Sequence, residues 1–352
     1  MIDFTSLSLP LNMIIFAIAA SAVWLAGVRL TKYADAIADV TGAGHAVVGI
    51  VLLAGVTSLP EIGVTATASL AGDAALAVNN LFGSIALQVA LLAVVDFYVG
   101  RRVLTAVVPE PAVLVQGSLN IILITSAAAA MVVGDIGFFG VGIWPIAFFT
   151  GYLLCVWILA NAEGKHPWVA ARGGKVEQEL MDELKRSNVG KEPHEALRTL
   201  LIKTAGIALI ILVAGFILAR SGDAIASQSG LGSSFVGFVL IAFATSLPEL
   251  STAVSATRRG LYTMAISDIL GTNLINVAMV FLVDILYTGG PVINQMDDFA
   301  IFGALLAVIL TALFLTGLSE RRDKSLFRMG YDSVAVIISY AVGVLLLYTL
   351  RQ

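Results

Sequence analysis

Two glutamates, each directly after a proline inside a long apolar run, are the residues of this chain best placed to do chemistry. Glu61 closes Thr57-Ser58-Leu59-Pro60-Glu61, and Glu249 closes Thr245-Ser246-Leu247-Pro248-Glu249. The text around them is also written twice. V-G-I-V-L-L-A-G-V-T-S-L-P-E and N-N-L-F-G-S-I-A-L-Q return as V-G-F-V-L-I-A-F-A-T-S-L-P-E and S-D-I-L-G-T-N-L-I-N. The two copies are 188 residues apart (Thr57 to Thr245) and align without a gap from Val48/Val236 to Asp96/Asp284. A carboxylate within a membrane is expensive, so an intramembrane glutamate marks a functional site by default. Two of them in matching repeats point to a transporter built on internal symmetry.

The neighbouring residues supply hard oxygen donors. A proline inside a helix gives no N–H to the carbonyl four residues earlier, which here frees Val56 and Ala244 at membrane depth. Such a carbonyl must face protein, water or a cation. Thr57 and Thr245 stand one helical turn from Glu61 and Glu249, and Ser58 and Ser246 add a second hydroxyl to each motif. On the next helix, Asn80, Ser84 and Gln88 recur every four residues as one polar stripe, matched by Asp268, Thr272 and Asn276. Gly83 and Gly271 beside the stripes permit close helix approach. Turns at 71–73 and 258–261 fold each stripe back on its T-S-L-P-E helix. Ca²⁺ takes six to eight oxygens in flexible geometry, whereas Mg²⁺ tends to keep its water. Softer metals call for Cys or His, and His45, His166 and His194 all lie at a helix mouth or in a polar loop. Glu61 and Glu249 together balance one Ca²⁺ or two Na⁺, a physical basis for competition and so for exchange. Asp268 either extends this cavity or is a hydrogen-bonded carboxylate one turn outside it. Asp96 and Asp284 sit at span ends and read as capping or interfacial groups, and Asn79 and Ser267 as partners in helix–helix hydrogen bonds.

The elements that must hold these groups are membrane helices. Hydrophobic residues make up 59% of the 352-residue chain and charged residues 12%, with a mean hydropathy of +0.95. Apolar runs of about 20 continuous residues predict helices rather than the alternating strands of a barrel. Ten spans are expected, near 11–31, 44–69, 74–95, 111–133, 139–161, 199–219, 233–257, 262–286, 298–318 and 331–350. The N-terminus lacks the basic start of a signal peptide, so the first span is expected to be retained. With both termini outside, only Arg220 and Arg351 of the 20 Lys and Arg residues fall outside, in accord with the positive-inside rule. An odd number of spans per half makes the repeats inverted. The expected plan is a first five-helix repeat at 1–161, a polar cytoplasmic linker at 162–198, and a second, inverted repeat at 199–352. The linker, with V-E-Q-E-L-M-D-E-L-K-R at its middle, lacks a calcium-loop signature and reads as a solvated connector. Cys155 stands alone, so no disulfide framework is expected.

The doubled T-S-L-P-E followed by a G-S/G-T helix resembles the cation/calcium exchanger superfamily, and most of all its prokaryotic sodium/calcium exchanger branch. The resemblance implies a central calcium site bridged by Glu61 and Glu249 with Thr57 and Thr245. It implies flanking sodium sites using Ser84, Thr272, Ser246 and the Ala242 carbonyl, with the first span of each half sliding to alternate access. Three departures stand out. Val56 and Ala244 replace the glycine before the motif, and Gly83-Ser84-Ile85 replaces G-S-N. Asn276 stands where sodium/calcium exchangers often place an aspartate, and Gln88 replaces the shorter asparagine opposite.

The expected function is a secondary antiporter exchanging Ca²⁺ for Na⁺ across the cell membrane. The alternative is proton-coupled exchange of Ca²⁺ or another divalent cation such as Mg²⁺ or Mn²⁺. The proton-coupled branch usually carries G-N-x-x-E, which weighs against that alternative. An intramembrane enzyme is disfavoured, because no G-x-S-x-G, H-E-x-x-H or Cys/His grouping is present. No cofactor is expected. The partners are inorganic cations and the lipid bilayer, not nucleic acid, and the oligomeric state is left open, a monomer being sufficient.

Overall fold

The computed structural model describes residues 4–99, 104, 112–138, 140–162, 195–228, 236–320, 325–326 and 329–350. Most of the linker expected at 162–198, with His166, His194 and Trp168, lies outside the described residues. So do Arg101, Arg102, Arg321, Arg322, Lys324 and Arg328 of the inner-side charge set.

The chain is helical. The first half comprises α1 (Leu9–Thr41), α2 (His45–Val48), α3 (Ala54–Thr57), α4 (Leu59–Leu70), α5 (Ala74–Val99), α6 (Ala112–Val133) and α7 (Ile143–Ala162). The second comprises α8 (Leu197–Ser227), α9 (Ala242–Thr245), α10 (Leu247–Arg258), α11 (Tyr262–Ala278), α12 (Val280–Leu286), α13 (Asp298–Glu320) and α14 (Tyr331–Leu350). Among the described residues eight helices are long and apolar enough to cross a membrane. The run His45–Thr57 joined to Leu59–Leu70 makes a ninth if counted as one span bent by 46°. The stretch expected at 233–257 is described from Val236 onward, in pieces. It reads as weakly apolar because α10 carries Glu249, Ser251, Thr252, Ser255 and Thr257. These side chains are buried against protein, so lipid does not select their polarity.

Two helices run well past their expected ends. α1 continues ten residues beyond 31, and α8 eight beyond 219, because Lys32, Asp35, Asp39, Arg220 and Asp223 break the apolar text without breaking the helix. At 33 and 31 residues each is about 50 Å long, beyond the ~30 Å hydrocarbon layer. The two pack extensively on one another.

At the centre lie α5 and α11–α12, whose apolar windows are 94% and 72% buried, against 28% for α1 and 33% for α8. Stripe-bearing helices are therefore innermost. Close packing there depends on glycine. A Cβ at Gly271 would stand 2.9 Å from Ile50 Cα, and one at Gly83 would collide with the Phe238 backbone. Ile50 and Phe238 lie in π-helical stretches, Gly49–Leu53 and Val236–Ile241, that precede the two breaks. Such stretches inside helices often mark functional sites. The turns after α4 and α10 use Gly72 and Gly260 at φ +83° and +77°, a conformation that favours glycine.

Asp96 and Asp284 are caps, and they cap across the repeats. Asp96 accepts from the Leu104 N–H at 2.5 Å and the Gly330 N–H at 2.7 Å. Asp284 accepts from the Val292 N–H at 2.6 Å and the Gly142 N–H at 2.6 Å. Gly142 and Gly330 end two short antiparallel hairpins, Gly137–Phe138 with Val141–Gly142 and Ser325–Leu326 with Met329–Gly330. Each half's hairpin is thus held by the other half's carboxylate.

Candidate cation-binding site

Both prolines interrupt their helices rather than kinking them. Ser58 (φ −72°, ψ −3°) and Ser246 (φ −82°, ψ +4°) separate α3 from α4 and α9 from α10. Pro60 and Pro248 then fall in the first turn of the new helix, where the missing N–H is harmless. The carbonyls beside the site hydroxyls are those of Ala54 and Ala242. Their oxygens lie 3.4 Å from Thr57 Oγ1 and 3.3 Å from Thr245 Oγ1; the resemblance named Ala242, whereas the proline positions pointed to Val56 and Ala244.

Glu61 and Glu249 are both 0% exposed, and none of their four carboxylate oxygens has a hydrogen-bond partner among the described residues. Glu61 faces the Thr245 hydroxyl and Glu249 the Thr57 hydroxyl, neither within hydrogen-bonding geometry. Glu249 also lies within electrostatic reach of Glu61 and Asp268. Buried charges are normally paired.

The stripes close the walls. Ser84 Oγ is 3.4 Å from Thr245 Oγ1, and Thr57 Oγ1 is 3.5 Å from Thr272 Oγ1. The Gln88 amide donates to Ser246 Oγ at 3.2 Å, leaving its carbonyl oxygen unpartnered. Asn276, one methylene shorter, has no hydrogen-bond partner among the described residues, and Ser58 turns back to the Ala54 carbonyl at 2.6 Å. Asp268 accepts a short hydrogen bond from Thr252, and its other oxygen lies 3.5 Å from Thr57 Oγ1. Direct contacts thus join Thr57 to Asp268 and Thr272, Asp268 to Thr252, Thr245 to Ser84 and Ser246 to Gln88, while Asn276 is buried without joining them through a hydrogen bond. Thr252 and the Ala54 carbonyl were missed. The 188-residue offset from Ala242 leads to Ala54, and Thr252 lies one turn beyond Glu249.

Asn79 and Ser267 do not supply the expected interhelical side-chain bonds: Asn79 and Ser267 Oγ have no hydrogen-bond partner among the described residues. Instead Gln116 donates to the Ser267 carbonyl and Asn120 to the Leu270 carbonyl, each at 2.9 Å, tying α6 to α11.

Comparisons with known proteins agree with this architecture. A profile of the sodium/calcium exchanger protein family matches twice, over residues 11–160 and 200–349. The chain is 25% identical over 296 residues to the inner membrane protein YrbG of Escherichia coli, covering 84% of each. It is 24% identical to the putative antiporter CaxA of Alkalimonas amylolytica, covering 83% of this chain and 86% of that one. The solved structure of the sodium-calcium exchanger NCX_Mj, soaked with 2.5 mM Na⁺ and 0.1 mM Ca²⁺, superposes with a TM-score of 0.69 at 18% identity, covering 97% of this chain and 99% of that chain. The fold is shared. With its doubled motif, eight apolar crossing helices and a double family match, this chain is a multi-pass membrane protein that belongs to the sodium/calcium exchanger family.

Proposed function

We propose that the chain is a secondary antiporter that exchanges Ca²⁺ for Na⁺ by alternating access at the Glu61/Glu249 site. The observation that carries this reading is the pair of fully buried carboxylates with no hydrogen-bond partner among the described residues for any of their oxygens. One Ca²⁺ or two Na⁺ neutralise the pair, while an empty pair is poorly stabilised in a low-dielectric interior, so the ions compete for one site. The ligands are Glu61, Glu249, Thr57, Thr245, Ser84 and Thr272, with Ser58, Ser246, Gln88, Asn276, Asp268 and the Ala242 carbonyl completing the walls.

The same reading assigns ten spans in two inverted repeats, 1–161 and 199–352, joined by a cytoplasmic linker at 162–198. Both termini lie outside the inner or plasma membrane. Support comes from the double family match and from equivalent breaks, π-helical stretches and hairpins recurring at one offset. The moving parts are α1 and α8. Gly27 packs beside Ser251 and the Pro248 carbonyl, and Gly215 against the Pro60 ring, so each long helix rests on the break of the other half through a residue without a side chain.

The deciding experiment is ⁴⁵Ca²⁺ uptake into proteoliposomes under an outward Na⁺ gradient, an outward H⁺ gradient, or neither. Uptake with the Na⁺ gradient alone is expected, and its loss in Glu61→Gln and Glu249→Gln. Uptake with the H⁺ gradient alone would replace this reading with proton-coupled exchange.

A further inference from the structure

The two flanks of the site are related by the repeat, but they are not chemically equivalent. Metal–oxygen bonds of about 2.4 Å at right angles hold neighbouring oxygens about 3.4 Å apart. Thr57 Oγ1 has three oxygens near that distance: the Ala54 carbonyl at 3.4 Å, Asp268 Oδ1 at 3.5 Å and Thr272 Oγ1 at 3.5 Å. A threonine hydroxyl has one proton to give, and the Leu53 carbonyl at 3.0 Å is its nearest acceptor. The Ala54 contact is the ordinary back-contact of a helical threonine, to a carbonyl that already accepts from the Ser58 N–H at 3.0 Å and the Ser58 hydroxyl at 2.6 Å; the contacts to Asp268 and Thr272 are edges of an oxygen cage rather than hydrogen bonds. Thr252 satisfies only Oδ2 of Asp268, and a 3.5 Å contact leaves Oδ1 short of a normal bond. Glu249, fully buried with both oxygens unpartnered, faces the same cage.

The opposite flank repeats the neutral part alone. Thr245 Oγ1 lies 3.3 Å from the Ala242 carbonyl and 3.4 Å from Ser84 Oγ. The counterpart of Asp268 is Asn80, an amide, and the counterpart of Thr252 is Val64. The carboxylate and the hydroxyl that orients it occur on one side only.

We propose that Asp268 makes the flanks unequal: a small monovalent cation of Na⁺ type binds in the cage of Thr57, Asp268 and Thr272, faced by Glu249, more tightly than beside Thr245. The proposal rests on the exchange reading and specifies which flank of the site holds Na⁺ more tightly. In the orientation set by the basic residues, the Thr57 flank lies on the cytoplasmic side of the site.

The test is ²²Na⁺ equilibrium binding to the purified full chain, for the wild type, Asp268→Asn and Asn80→Asp, alongside Na⁺-driven ⁴⁵Ca²⁺ uptake. Wild type should show a tight and a weak class of Na⁺ site. Asp268→Asn should weaken the tight class about tenfold or more, as expected for losing a full charge beside a buried cation. Asn80→Asp should strengthen the weak class, and it decides the matter even if Asp268→Asn does not fold. Should both variants bind ²²Na⁺ as the wild type does while wild-type exchange persists, the inequality of the flanks is wrong and the exchange reading stands. A wild type that neither binds ²²Na⁺ nor takes up Ca²⁺ against Na⁺ overturns both.

Discussion

Replacing Glu249 by glutamine is expected to stabilise the purified protein in the absence of cations and to remove its stabilisation by Ca²⁺. Four buried carboxylate oxygens of Glu61 and Glu249 have no hydrogen-bond partner among the described residues. Oxygens that chelate one Ca²⁺ from opposite sides lie at most about 5 Å apart. At that separation, with an effective dielectric near 20, two unit charges repel by about 3 kcal/mol. The glutamine amide keeps the shape but leaves a buried neutral group unsatisfied, which takes back about 1–2 kcal/mol. A net gain of about 1–2 kcal/mol corresponds to a melting temperature higher by a few degrees. Thermal unfolding in detergent at alkaline pH, with chelator and then with excess Ca²⁺, measures both effects. The wild type should melt lowest with chelator and rise with Ca²⁺; Glu249→Gln should start higher and stay flat. A variant that melts below the wild type in chelator yet gains as much from Ca²⁺ would show that Glu249 is a structural carboxylate and not a ligand.

Three further outcomes test the scaffold. Gly215→Ala presses a methyl into the Pro60 ring, so Ca²⁺ binding should persist while the exchange rate falls, by comparison of ⁴⁵Ca²⁺ binding with uptake. Gly271→Ala, with its Cβ 2.9 Å from Ile50 Cα, should destabilise by about 1–3 kcal/mol through overpacking, read as a lower melting temperature and a reduced monodisperse yield. Asp284→Ala strips the acceptor from the Val292 and Gly142 N–H groups. A loss of about 3 kcal/mol is expected, and Asp284→Asn should recover part of it.

Much of the site was legible because the chain states it twice. One offset aligns the hydroxyls, glutamates and stripes, so each half served as a check on the other. Helix ends were less legible. Lys32 and Asp35 look like a membrane boundary in hydropathy, yet α1 runs on to Thr41, because a helix needs backbone continuity and a packing partner rather than an apolar sequence. The π-helical stretches left no trace, being ordinary apolar residues that Gly83 and Gly271 approach closely from another helix. The position of Asp268 could not be decided from its stripe alone. Its contacts come from α3 and α10, and only the fold brings those together.

The carboxylate clasps carry a consequence of their own. Asp96 reaches from the first half to Gly330, and Asp284 reaches from the second to Gly142. Shifted by the repeat, these are a single contact made twice, residue i of one copy to residue j of the other and the reverse. That is the signature of an isologous interface between identical subunits. With the linker set aside, two copies of a single half would meet through the same pair of hydrogen bonds. The chain can thus be read as a twofold dimer whose subunits have been joined end to end, and the acidic side chain at Asp268 then marks where the joined partners, freed from identity, have since diverged.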